Sequence, residues 1–230
     1  MYYPNLPVKF MVKPAKTVPQ IIFIFSIVFS WHRTIIEYTE GDKQQHTGDN
    51  HMLKFSVANT KLKKLYKLAQ TVLKRWLGQK IGRSTAKVYS FDMLSGVDCP
   101  FAHNCKSQAE VQADGSRRIK DGPHTEFRCF SASQEVLFTT AYNARKRNHD
   151  GIHELETSDA MADALCAVLP KDARIIRIHV SGDFFSHKYF MAWIKVAERN
   201  PDVLFYAYTK SLTYWVRSRD RVPFNLVLTA

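Results

Sequence analysis

The pattern of apolar and polar positions changes character near residue 130, and beyond that point it is regular. Ser131 and Gln134 form a capping box that predicts a helix to about residue 148. Its last turn holds Arg145, Lys146 and Arg147, where cations suit the helix dipole. Ser158 is placed to cap a second helix that Pro170 ends, with Cys166 on its apolar face. The run from Arg174 to Val180 is rich in β-branched residues and predicts a strand. Ser186 then caps a helix through Arg199, and Val203 to Thr209 predicts the next strand. A short helix from Leu212 to Asp220 and a third strand from Asn225 to Thr229 complete the pattern. Strands that alternate with helices across short connections imply a parallel sheet. The fold class is therefore α/β with βα repeats, as an open sheet or a partial barrel of the TIM type, since a closed eight-stranded barrel needs about 250 residues.

Upstream the pattern differs. Leu62, Leu65, Ala69, Val72 and Trp76 recur at helical spacing over residues 60–77, while Lys61, Lys63, Lys64, Lys67, Lys74 and Arg75 fill the other faces. Before that, residues 18–31 are an apolar run shorter than the roughly 20 residues a spanning helix needs. No small-residue cleavage site comes after it, so it gives no firm membrane association. Three segments result: an atypical extension over 1–51, a basic amphipathic helical segment over 52–90, and the cysteine cluster with the α/β domain over 91–230. Nothing in 1–51 patterns with the two later segments, and Met52 reads as a natural start.

Charge sharpens this division. The formal net charge is +12, and residues 52–90 hold ten Lys or Arg with no Asp or Glu. The basicity thus belongs to one segment, which suits nucleic acid or another polyanion as well as a solvated helix face. The four cysteines include Cys99, Cys105 and Cys129, clustered in a loop-rich stretch marked by Gly96, Pro100, Gly115, Gly122 and Pro123. A chain of this length does not need disulfides, and clustered thiols in a reducing compartment, the cytoplasm of a bacterial host, read better as metal ligands. Two metal sets fit. Three thiolates at Cys99, Cys105 and Cys129 suit an iron–sulfur cluster with one iron left open. The same thiolates with His124 make a structural zinc set, His103 being a spare ligand. Buried free thiols are the plain alternative. The His124-Thr125-Glu126 triplet lacks the downstream Pro-Cys-x-x-Cys of zinc deaminases, which argues against that chemistry.

Functional groups in parallel sheets gather at the C-terminal ends of strands. The first predicted strand runs into Ser181, Gly182 and Asp183, and the second into Thr209, Lys210 and Ser211. Asp183 and Lys210 are the catalytic candidates, one to accept a hydrogen bond from substrate and one to hold a carboxylate or phosphate. Gly182 allows close approach of a ligand. Ser181, Thr209 and Ser211 complete the cofactor-binding candidates.

The stretches CPFAHNCKSQA, DGPHTEFRCFSASQE, RIHVSGDFFSHKYFMAWIKVA, NPDVLFYAYTKSLTYW and NLVLTA resemble the gene product 88 family of phage and prophage proteins over about residues 88–230. The resemblance implies that Cys99, Cys105, Cys129, His124, Ser181, Gly182, Asp183, Thr209, Lys210 and Ser211 belong to the family pattern, and that family members extend beyond this chain's last residue. It brings no activity with it. The strand end at residues 179–185 also resembles that of radical S-adenosylmethionine barrels, an analogy of fold that makes S-adenosylmethionine a candidate cofactor. The expectation is a metal-dependent enzyme acting on an unidentified small molecule, with a zinc-stabilised nucleic-acid-binding protein as the alternative.

Overall fold

The structure is a computed structural model that describes residues 53–57, 62 and 87–230. The extension over 1–51, the start at Met52 and nearly all of the basic helix expected over 60–77 lie outside the described residues. Five strands form one sheet in the order β1-β2-β5-β6-β7: β1 (Ser56–Val57), β2 (Lys87–Phe91), β5 (Ala173–Ile178), β6 (Leu204–Tyr208) and β7 (Leu226–Thr229). β1 is antiparallel to β2, and the other four strands run parallel, with Phe91 opposite Ile178 and Ile178 opposite Ala207. The architecture is mixed α/β with a mainly parallel sheet. Among the described residues the sheet is open and no barrel closes.

Each new parallel strand is added at the same edge, and right-handed crossovers then put the helices on one face. Alternation along the strands turns Phe91, Ile176, Ile178, Phe205 and Leu226 toward that face. There they meet α4 (His187–Arg199), whose Phe190, Trp193 and Ile194 are fully buried. Ser186 caps α4 by accepting a hydrogen bond from the Tyr189 amide at 3.2 Å. α3 (Ser158–Ala167) lies beside α4, joined by Lys195–Asp159 at 2.7 Å and Arg199–Asp163 at 2.6 Å. The opposite face is more polar. Arg177 lies over the Tyr208 ring at 5.4 Å, and its Nε is buried without a hydrogen-bond partner among the described residues. Burial pushes the neighbouring Tyr206 phenol up to about 12. No described helix is long and apolar enough to cross a membrane.

Several expectations shift. The helix expected from Ser131 to residue 148 is two helices, α1 (Phe130–Leu137) and α2 (Thr139–His153), broken at Phe138, whose backbone is extended. The capping box does not form. Cys129 is the N-cap residue, Ser131 Oγ donates to the Val180 carbonyl, and the Gln134 side chain accepts from Arg145. Thr157, not Ser158, caps α3, accepting from the Ala160 amide at 3.1 Å. The strand expected to reach Val180 stops at Ile178, because His179 takes a positive φ of 65°. The stretch expected to be loop contains a hairpin of β3 (Ser107–Val111) and β4 (Arg117–Asp121). The short helix is α5 (Leu212–Ser218), followed by a 3-10 turn at Arg219–Arg221.

Candidate functional site

The site begins where β5 ends. His179 is buried, its Nε2 lies 3.0 Å from the Tyr189 hydroxyl, and its Nδ1 has no partner among the described residues. Burial holds its pKa down to about 3, so the ring is neutral at ordinary pH. Gly182 has φ 82°, and a Cβ there would stand 2.5 Å from the Met93 Cβ. The glycine expected to admit a ligand therefore serves the packing of β5's exit against the chain leaving β2. Met93 reinforces that contact by donating its amide to the Ser181 carbonyl at 2.9 Å.

Asp183 is buried and well satisfied. Its Oδ1 accepts from the Phe184 amide at 2.7 Å and from Thr209 Oγ1 at 2.6 Å, and its Oδ2 accepts from the Lys210 amide at 2.8 Å. Burial raises its pKa above the ordinary carboxylate value, against the pull of these bonds. Asp183 and Lys210 thus meet at the strand ends as expected, but through the Lys210 backbone, while residue Lys210 itself is exposed. Ser211 donates its amide to Thr209 Oγ1 at 2.9 Å and its hydroxyl to the Phe184 carbonyl at 2.9 Å. Asp183, Thr209 and Ser211 therefore tie the ends of β5 and β6 into one rim.

The cysteine loop sits against this rim. The Asp183 amide donates to the Asp98 carbonyl at 3.0 Å, which fixes Cys99 one residue away. Gly96 has φ 68°, and a Cβ on it would stand 2.4 Å from the Ser107 carbonyl oxygen, so only glycine fits between the loop and the hairpin. Cys105 precedes β3 and Cys129 follows β4, at the base of that hairpin. The Cys129 amide donates to Ser107 Oγ at 3.2 Å. Burial pushes the Cys99 thiol up to about 12, with Asp183, Cys129 and Asp98 adding to the effect. His124 is exposed and stacks on His103 with ring centroids 5.3 Å apart. Both line a cleft of about 330 Å³ with Pro100, Lys106, Lys120 and Asp121.

A buried network underlies loop and rim together. Glu135 accepts from the Ser95 amide at 3.0 Å, Ser95 Oγ at 2.6 Å, Ser181 Oγ at 3.2 Å and Arg145 at 3.0 Å. Arg145 also donates to the Ser131 carbonyl and to Gln134. One carboxylate thus joins the cysteine loop, α1, α2 and the end of β5. Beside it, Asp98 is fully buried and receives His149 Nδ1 and His153 Nε2, each at 2.9 Å from Oδ1. Despite burial, hydrogen bonds from the two imidazoles hold the Asp98 pKa below the ordinary value, and the bond to Asp98 raises that of His149.

Among the described residues, the set of three possible ligands whose donor atoms all lie within 4.8 Å of one another is Asp98, His149 and His153. Cys99, Cys105, Cys129 and His124 do not form such a set. A single zinc with Zn–S bonds of about 2.3 Å would hold its tetrahedral sulfurs about 3.8 Å apart. An iron–sulfur cluster carries each thiolate on a different iron and spaces them more widely. Glu135, Asp98, His149 and His153 were not singled out in the sequence, and Arg145 was noted only as a cation near a helix end. The four-residue spacing of His149 and His153 was a usable signal, and the helix boundary expected near residue 148 hid it.

Fold and site define an α/β protein with a thiol- and imidazole-bearing loop over its strand ends. The model of the gene product 88 family matches residues 52–230, and the chain belongs to that family. It is similar to the "Gene 88 protein" of Mycobacterium phage L5, 45% identical over 108 residues. That match takes in 44% of this chain and 45% of the phage protein, so the chain spans about half of the curated relative. No solved structure matches the chain.

Proposed function

We propose that this chain is a metal-dependent enzyme, with an iron–sulfur cluster held by Cys99, Cys105 and Cys129 beside the C-terminal ends of its parallel strands. The carrying observation is the bond from the Asp183 amide to the Asp98 carbonyl, which brings the cysteine loop to the strand ends where parallel sheets do chemistry. The donor set fits: three half-buried thiols on loop and hairpin-base segments, with Cys129 as the N-cap residue of α1. The three sulfurs do not all lie within 4.8 Å of one another, so they are not gathered for a single zinc ion. Cluster iron without a protein thiolate would supply an open coordination position, and S-adenosylmethionine is the cofactor class that the partial-barrel analogy suggests for it. Asp183 orders the rim through Thr209 and the Lys210 amide, Ser181 and Gly182 shape it, Ser211 locks it, and the exposed Lys210 reaches for an acidic group on the substrate.

The test is anaerobic preparation of the full chain followed by iron and sulfide analysis. About four irons per chain with matching sulfide and visible absorption from iron–thiolate bonds is the expected result. A folded Cys105→Ser variant should lose the iron. S-adenosylmethionine binding is then measured on the loaded protein. A chain that takes up neither iron nor sulfide sinks the proposal. One zinc bound through the cysteines would instead favour a zinc-stabilised binding protein.

A further inference from the structure

We infer that Asp98, His149 and His153 form a second metal site, one that takes a divalent first-row transition ion. Two imidazoles and one carboxylate are the donor set of facial metal triads, which leave coordination positions open. The spacing fits. Ligands at about 2.1 Å from an octahedral ion stand about 3.0 Å apart when adjacent, and about 3.4 Å apart on a tetrahedral one. Here His149 Nδ1 and His153 Nε2 both lie 2.9 Å from Asp98 Oδ1. His149 Nδ1 is equally 2.9 Å from Oδ2, the position of a donor facing a whole carboxylate rather than one lone pair. As a hydrogen bond this would be a shared, weakened contact.

The carboxylate is held for the purpose. Asp98 Oδ2 accepts from the Leu94 amide at 2.9 Å, while the Asp98 amide and carbonyl are bonded to Leu94 and Asp183. Such outer contacts orient metal ligands and tune affinity. The two histidines share one face of α2, four residues apart, with ring centroids 4.1 Å apart. His153 stacks on Phe185 at 4.0 Å, which fixes its ring. Asp98 is fully buried, whereas the His153 side chain is 39% exposed, so the site meets solvent at His153. Thiols coordinate soft iron clusters, whereas this nitrogen and oxygen set suits Fe²⁺, Mn²⁺, Co²⁺ or Zn²⁺. The inference stands whether or not the cysteines hold a cluster.

The experiment is titration of the metal-free, reduced full chain with Co²⁺, read by absorption and by calorimetry, and repeated with Zn²⁺. The expected result is one Co²⁺ whose binding carries no thiolate charge-transfer band, apart from any ion that the cysteine thiols take up. His149→Ala and His153→Gln should weaken it at least about tenfold, while Cys105→Ser leaves it unchanged. His153→Gln keeps a hydrogen-bond donor near Asp98 and is checked for folding by circular dichroism. The inference is overturned if the folded chain binds no Co²⁺, or if binding is the same in both histidine variants. It is equally overturned if only Cys105→Ser abolishes binding, which would assign the ion to the thiols.

Discussion

At the scale of single residues, His179 states most clearly what the rim demands. It sits at φ 65°, in backbone space that side chains other than glycine rarely occupy, and it is buried with one nitrogen unpartnered. Strain and an unsatisfied nitrogen at a strand end are features a protein keeps where geometry matters more than stability. A pH dependence results. The unfolded chain protonates this imidazole as pH falls through about 6.5, whereas the folded protein resists until about 3. The unfolded state therefore binds more protons throughout that window, and stability falls as pH is lowered across it. Asn tolerates a positive φ and does not titrate, so His179→Asn isolates the effect. Between pH 6 and pH 5, urea unfolding of the wild type should lose about 1.2 kcal/mol more than the variant does. Equal losses would mean that His179 is protonated in the native state.

Local elements were legible where the signal was local. The cap at Ser186, the strands β5, β6 and β7 and the order of their βα units could be read from side-chain chemistry within a few residues of each boundary, whereas β1 and β2 were not read as strands. The failures occurred where distant contacts decide. Ser131 and Gln134 carry the letters of a capping box, yet one bonds Val180 and the other Arg145, partners that no local pattern reveals. The hairpin was hidden because both strands are mostly polar and exposed, with the Asp114-Gly115 turn as its main cue. At α3 the choice between adjacent hydroxyls is testable. Thr157 caps the helix, while Ser158 accepts from Lys195 on α4. Thr157→Ala should cost about 1 kcal/mol in denaturant unfolding, and Ser158→Ala less than about 0.5 kcal/mol. The reverse order would return the cap to Ser158.

For the whole molecule, the question is whether the cysteine loop and the sheet depend on one another. The sequence exposed the cysteines by their clustering and the Asp183 rim by its place after a strand. It concealed Asp98 and its two histidines, because they are brought together by the return of α2 across the cysteine loop, about 50 residues later. The central core is formed by Phe91, Ile176, Tyr189, Phe190, Trp193 and Phe205, all fully buried. Cys99, Cys105 and Cys129 are half-buried and stand outside that cluster. The loop is anchored instead by Glu135, by Asp98 and by the fit of Gly96 against Ser107. None of these contacts needs a thiol. The combined Cys99→Ser, Cys105→Ser, Cys129→Ser variant should therefore keep its far-ultraviolet circular dichroism and unfold cooperatively. Its midpoint in urea should correspond to a stability within about 1 kcal/mol of the metal-free wild type. Loss of the sheet in that variant would show that the thiols are core residues, and iron lost from single cysteine variants would then report on folding rather than on ligation.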